Sequence, residues 1–316
     1  MMNTTTLTST GQHIRSIERP RPLLSVTAWE LRRCGASRLF WFQALGFFCL
    51  VLFLTWASRA PNQFGNMNGS VSAFVAGTSP WGLLTNLPLV LVLLGLLLPF
   101  ITTDSVTRDL SRRTHELLLT TALPTWAYVW GRYLACLLLS LGLAVLSLAA
   151  LLGLGWLLHL TTANYPAPES GALLLLWVGM ILSATVLLSS LGFALGTLLP
   201  RLSMLVKVVI LLGWVIGAVI LPIGLRDATP PAWYVNWDPT SAVTALGIIP
   251  QYLIRFQNQT GTITNAAQIQ QILLTFENRM PNLSGWFAPH LLLAGASLAL
   301  VLIAALAFKR SREVLN

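Results

Sequence analysis

The residues of this chain best suited to chemistry fall in one short polar segment. It runs Asp104-Ser-Val-Thr-Arg108-Asp109-Leu-Ser-Arg112-Arg113-Thr114-His115-Glu116-Leu117-Leu118-Leu119 and closes at Pro124. Seven of the 29 Asp, Glu, Lys and Arg residues lie between Asp104 and Arg132, and the long apolar runs on either side carry none. The chemistry on offer is recognition. Leu110, Leu117 and Leu118, with Thr114 and Thr121, share one face at helical spacing, and Arg108, Arg112, Arg113 and Glu116 lie largely elsewhere around the helix. Thr102, Thr103, Asp104 and Ser105 supply capping oxygens, and Pro124 ends or kinks the element. A rigid helix with a mixed-charge face can seat in a partner's cleft. A solvated loop with basic anchors is the plain alternative that residue types alone leave open.

Other chemistries lack their motifs. The chain has no Gly-x-x-x-x-Gly-Lys-Ser/Thr phosphate loop, no His-Glu-x-x-His and no Cys/His cluster at zinc spacing. The expectation is therefore no catalytic residue, no cofactor and no metal. His13, His115, His159 and His290 are scattered over tail, loop and boundary positions. A lipid-directed enzyme would need convergent acid and base groups. Asp227, Asp238, Glu277 and His290 are available for that, at no recognisable spacing.

The elements that must position this segment are membrane spans. Of 316 residues, 55% are hydrophobic and 9% charged, against about 25% charged in soluble domains. Six apolar runs approach the roughly 20 residues that a helix needs to cross a bilayer. They lie near 39–56, 83–101, 133–158, 172–199, 208–225 and 287–308, none with a charged interior residue. Lipid-embedded backbone must satisfy its own hydrogen bonds, so the expected fold is an all-α polytopic membrane protein. Without intramembrane charges, a proton-driven carrier is disfavoured and a driving force from a partner is expected.

The net charge of +9 is a topology signal. Fifteen Lys and Arg residues fall in the N-terminal segment, the second and fourth loops and the tail, against four in the other loops. That places both termini in the cytoplasm and argues against nucleic-acid binding. Cys34, Cys49 and Cys136 lie in or beside cytoplasmic or membrane segments, so no disulfide framework is implied. No cleavable signal is expected in the polar first 38 residues.

Along the chain, residues 1–22 are expected to be disordered. Residues 23–38, with Trp29, Glu30, Arg32 and Arg33, read as an interfacial helix at the lipid headgroups. The spans occupy 39–308, with the polar segment at 104–124, an outer loop at 226–286 and a basic tail at 309–316. The first outer loop, rich in Asn, Gly and Ser, reads as irregular. In the large outer loop Ile269, Ile272, Leu273, Phe276 and Met280 repeat at helical spacing, flanked by Gln268, Gln270, Gln271, Glu277 and Arg279, with Thr264 or Asn265 as N-cap. Hydroxyls and amides within the spans (Gln43, Asn86, Ser183, Thr185, Ser189, Ser190, Thr197) could line a path for an amphiphile. Gly192/Gly196 and Gly213/Gly217 let helices approach closely, within one subunit or at a dimer seam.

The segment Thr114-His-Glu116-Leu117-Leu118-Leu119-Thr120-Thr121-Ala122-Leu123-Pro124, followed by Gly131-Arg132, resembles the ATP-binding-cassette type-2 exporter permeases. Asp109, Thr114, Glu116, Leu117, Leu118, Thr120 and Gly131 match that family's pattern. Leu110, Arg113, Ala122 and Arg132 depart from it. The Trp29–Arg33 stretch resembles the family's N-terminal interfacial helix. The resemblance implies a permease subunit of a bacterial inner membrane, pairing with a second copy or a related subunit. It implies two separate cassette ATPases as partners, docked on Arg108, Asp109, Arg112, Arg113, Thr114, Glu116, Leu117 and Leu118, in a coupling helix. A non-transporting membrane scaffold and a lipid enzyme are the rival readings.

Overall fold

A computed structural model describes residues 22–57, 62–66, 69–73, 75–104, 124–163, 165–225, 230–260, 263 and 265–313; for 62–66, 69–73, 266 and 309–313 it describes the backbone alone. Among the described residues, six helices are long and apolar enough to cross a membrane: α2 (Arg38–Ala57), α3 (Pro80–Thr102), α4 (Thr125–Thr161), α5 (Ser170–Leu198), α6 (Pro200–Gly224) and α10 (Phe287–Glu313), the last through Phe308. The protein is an integral, multi-pass, α-helical membrane protein. Helix α1 (Pro22–Gly35) precedes the spans. Helices α7 (Ala232–Asn236), α8 (Ala242–Thr260) and α9 (Ala266–Glu277) fill the long connection between α6 and α10.

Helix α3 sits at the centre because its leucines repeat in steps of three and four. Leu84, Leu87, Leu91, Leu94 and Leu98 lie on one stripe and are all buried. Helix α5 is the other central element, with 61% of its apolar window inside the molecule, against 17% for α10. The outer helices α2, α6 and α10 leave most of their side chains unburied within the chain. Small residues set the close approaches: a Cβ at Gly95 would stand 2.5 Å from the Trp214 ring of α6. A π-helical turn at Trp177–Leu182 widens α5, where the Trp177 indole donates to the Ala144 carbonyl at 3.0 Å.

The spans' hydroxyls turn inward on their own helices. Ser183, Thr185, Ser189, Ser190 and Thr197 each donate to a carbonyl one turn earlier in α5. A lipid-embedded hydroxyl is satisfied most readily this way. All five are buried within the chain.

The end of the bundle away from α1 is built on caps. Ser79 accepts from the Gly82 amide at 3.0 Å and Pro80 opens α3. Asp238 accepts from the amides of Thr240 at 2.9 Å and Val243 at 2.6 Å, capping α8. Burial pushes the Asp238 carboxyl above its ordinary pKa, against those hydrogen bonds, which pull it down. Helix α8 then crosses the start of α3, where Tyr252 stacks on Trp81 at 5.4 Å. Asn265 caps α9 through the Ala267 amide, and Ile269, Leu273 and Phe276 face inward as their spacing predicts. The first outer loop differs from the irregular loop expected. Its backbone forms an antiparallel hairpin, β1 (Asn62–Asn66) with β2 (Gly69–Ala73), in which Phe64 pairs with Val71.

Candidate coupling site

The polar segment springs from the end of α3, and that end is held on two sides. Gly192 and Gly196 of α5 lie against Thr102 and Thr103; a Cβ at residue 196 would stand 2.7 Å from the Thr103 carbonyl oxygen. On the other side the Asp104 carboxylate meets the Lys207 ammonium of α6 at 2.6 Å. Lys207 is buried and lies 5.2 Å from the centre of the Phe100 ring. Its charge also stands beside the carbonyl end of α3, where the helix dipole favours a cation.

The segment returns at Pro124, and its far root is held by a different element. Helix α1 packs along the first turns of α4. Gly131 makes this possible, since a Cβ there would stand 2.8 Å from the Val26 side chain. Thr27 donates to the Gly131 carbonyl at 3.1 Å. The Arg132 guanidinium is fully buried, 4.6 Å from the Tyr128 ring and 5.9 Å from that of Trp29. Glu30 is buried and ion-paired with Arg33, whose guanidinium also covers Trp29 at 5.2 Å. Trp29 and Arg32 remain exposed.

Two expectations are corrected, one at this site and one at the far end of the bundle. Arg132 and Lys207 were expected in the second and fourth loops, yet both are helical and buried. The helices continue beyond the apolar runs because each cation finds aromatic faces, and Lys207 also a carboxylate. Glu277, expected on the polar flank of its helix, is buried and bonded to the Ala76 amide.

Of the residues expected to dock a partner, Arg108, Asp109, Arg112, Arg113, Thr114, Glu116, Leu117 and Leu118 lie outside the described residues. Gly192, Gly196 and Gly217 pack within the chain, Gly217 against Thr240. Gly213 meets no other part of it within 4 Å. Sequence reasoning missed Lys207 as the partner of Asp104. The available signal was a lone lysine in the apolar run Met204-Leu-Val-Lys207-Val-Val.

A cavity of about 210 Å³ opens between α1, α2 and the end of α3. Glu30, Arg33, Gln43 and Asp104 give it a polar side, and Phe40 and Phe100 an apolar one. Of the outer acid and base groups, Asp227 lies outside the described residues, and Asp238 and His290 stand close enough to interact electrostatically. Asp238 is a helix cap, and His290 engages the Trp286 carbonyl at 2.7 Å.

The two roots thus frame 19 residues whose charge pattern suits docking, on helices arranged as a six-span bundle. A profile described as ABC-2 family transporter protein matches residues 82–308. The chain belongs to the ABC-2 transporter family. The match takes in both roots of the segment and every span from α3 onward, so an ABC-2 permease is the membrane subunit of a transporter, which in this family partners a cassette ATPase. No curated protein matches the chain.

Proposed function

We propose that this ABC-2 permease is one half of the membrane domain of an ATP-driven exporter, paired with a second permease subunit and two cassette ATPases. The observation that carries the reading is the double anchoring of the polar segment. Thr102 and Thr103 pack one root against α5 and Asp104 ties it to α6, and Gly131 and Arg132 tie the other to α1. A push on residues 105–123 would therefore move several helices as a body. In this reading both termini and the segment are cytoplasmic, α1 lies at the headgroups, and the membrane is a bacterial inner membrane. The distribution of basic residues supports that orientation.

The cargo proposed is an amphiphile. Its support is the cavity lined by the ionic Glu30, Arg33 and Asp104 together with the aromatic Phe40 and Phe100. The outer helices α8 and α9, packed over the start of α3, would close the exit. ATP hydrolysis belongs to the partner.

Glu116→Arg and Leu117→Asp test the docking surface. Each is expected to lower recovery of a phosphate-loop ATPase with the tagged permease at least tenfold, without loss of permease from the membrane. Unchanged recovery with unchanged export would remove the segment from the mechanism.

A further inference from the structure

Glu277 closes α9 at the end of the bundle opposite the polar segment, and it is 0% exposed. Its Oε2 accepts the Ala76 amide at 2.8 Å. Its Oε1 is equally buried and has no hydrogen-bond partner. Among the described residues, no cation answers the carboxyl from the elements packed on α9. Strand β2, Gly69-Ser-Val-Ser-Ala73, has no ionisable residue, and the start of α3 has none. Helix α8 brings Tyr252 and Arg255; the Tyr252 hydroxyl donates to the Arg279 carbonyl at 2.6 Å, and Arg255 is exposed. The Arg279 guanidinium lies over the Phe276 ring at 4.5 Å. Glu277 is the sole acidic residue of α9 itself.

The bond to Ala76 sits at a junction. Ser79 donates through both amide and hydroxyl to the Ala76 carbonyl and caps α3. Thr78 shares a hydrogen bond with the Tyr165 hydroxyl at 2.9 Å, and His159 Nδ1 lies 2.7 Å from the Tyr165 carbonyl oxygen. A Cβ on Gly82 would strike the Ala76 backbone, so the turn has little slack. Whatever moves Ala76 moves the start of α3, and α3 runs to Thr102, two residues before Asp104.

We propose that Glu277 is a proton-controlled latch: when neutral it holds the start of α3 against α9, and when ionised it releases that contact. A neutral carboxyl can sit here with one backbone donor, whereas a buried carboxylate without a cation is costly. Burial accordingly raises its pKa from 4.5 to about 8, with the Ala76 amide working in the opposite direction. The sign follows from linkage. Between 4.5 and about 8 an opened, hydrated Glu277 is ionised while the closed one is not. The opening constant therefore rises about tenfold per pH unit across that window and levels above it. Through α3, the proton reaches the same helix that carries the coupling segment.

Hydrogen exchange on the full chain in lipid nanodiscs reads the latch without any ATPase or cargo. The quantity is the protection factor of peptides spanning Ala76 to Trp81, corrected for the intrinsic exchange rate, from pH 5 to 9. The wild type should lose about tenfold per pH unit up to about pH 8 and then level. Glu277→Gln keeps the acceptor for Ala76 and should be flat and protected, while His159→Gln should keep the wild-type slope. A flat wild-type profile would overturn the latch by itself. So would a slope that survives Glu277→Gln or disappears in His159→Gln. All three outcomes leave the transport reading untouched.

Discussion

Replacing Gly196 with leucine should destabilise the bundle by about 2–3 kcal/mol and reduce export to background. The Cβ would stand 2.7 Å from the Thr103 carbonyl oxygen and 2.9 Å from its Cα. Both are backbone atoms, so no rotamer change relieves the clash; the end of α3 must move away from α5. That end is the root of the polar segment, and the displacement passes to Asp104 directly. Two controls separate this from a general intolerance of larger residues. Gly192→Ala meets chiefly the Thr102 side chain, which can rotate, and should cost under about 1 kcal/mol. Gly213→Ala meets nothing within 4 Å and should leave the thermal midpoint of the isolated chain unchanged. Thermal unfolding in nanodiscs, read beside export, distinguishes the three.

The Asp104–Lys207 pair should respond asymmetrically. The Lys207 side chain is 9% exposed and that of Asp104 29%. Asp104→Asn leaves a buried ammonium without its carboxylate and should cost about 3 kcal/mol. Lys207→Met leaves a carboxylate that water reaches, and should cost nearer 1 kcal/mol. Combining the two removes both charges, and replacement of a buried ion pair by neutral groups is commonly close to neutral in stability. The double variant should therefore unfold near the wild-type midpoint. Export should nevertheless stay reduced, because α6 is no longer tied to the root of the segment. Recovery of both stability and export would assign the pair a purely structural role. Recovery of neither would mean that more than this pair is lost.

These residues also show which parts of the molecule were legible in the sequence. The spans were, because a lipid-exposed helix must be apolar over its whole length, and hydropathy reports that directly. The inward face of α9 was, through Ile269, Leu273 and Phe276 and the Asn265 cap. The ends of the spans were less so. Hydropathy stops at the first charge, whereas the backbone continues as helix wherever that charge finds a partner. Arg132 does so on Tyr128 one turn earlier and on Trp29, and Lys207 on Asp104; the contacts with Trp29 and Asp104 span separations in sequence that no local pattern encodes. Glu277 was misplaced for a different reason. It stands four residues after Leu273 and eight after Ile269, so helical spacing puts it on the buried face, while its polarity argued for the outer one. Position prevailed, and a buried carboxyl resulted. The serines and threonines of α5 carried no such signal, because a hydroxyl bonded to its own helix and one lining a path look alike in sequence.

The coupling residues rest on the family pattern together with the anchored roots on either side. The central claim, that this permease receives its force from separate ATPases docked on residues 105–123, has a direct test. The tagged chain is purified from native membranes in a mild detergent, and the intact complex is weighed by native mass spectrometry. The account predicts two permease subunits with two phosphate-loop ATPase subunits, and permease dimers stripped of ATPase in Glu116→Arg. A wild-type permease that purifies without any ATPase, or a Glu116→Arg complex that keeps its full complement, would contradict it.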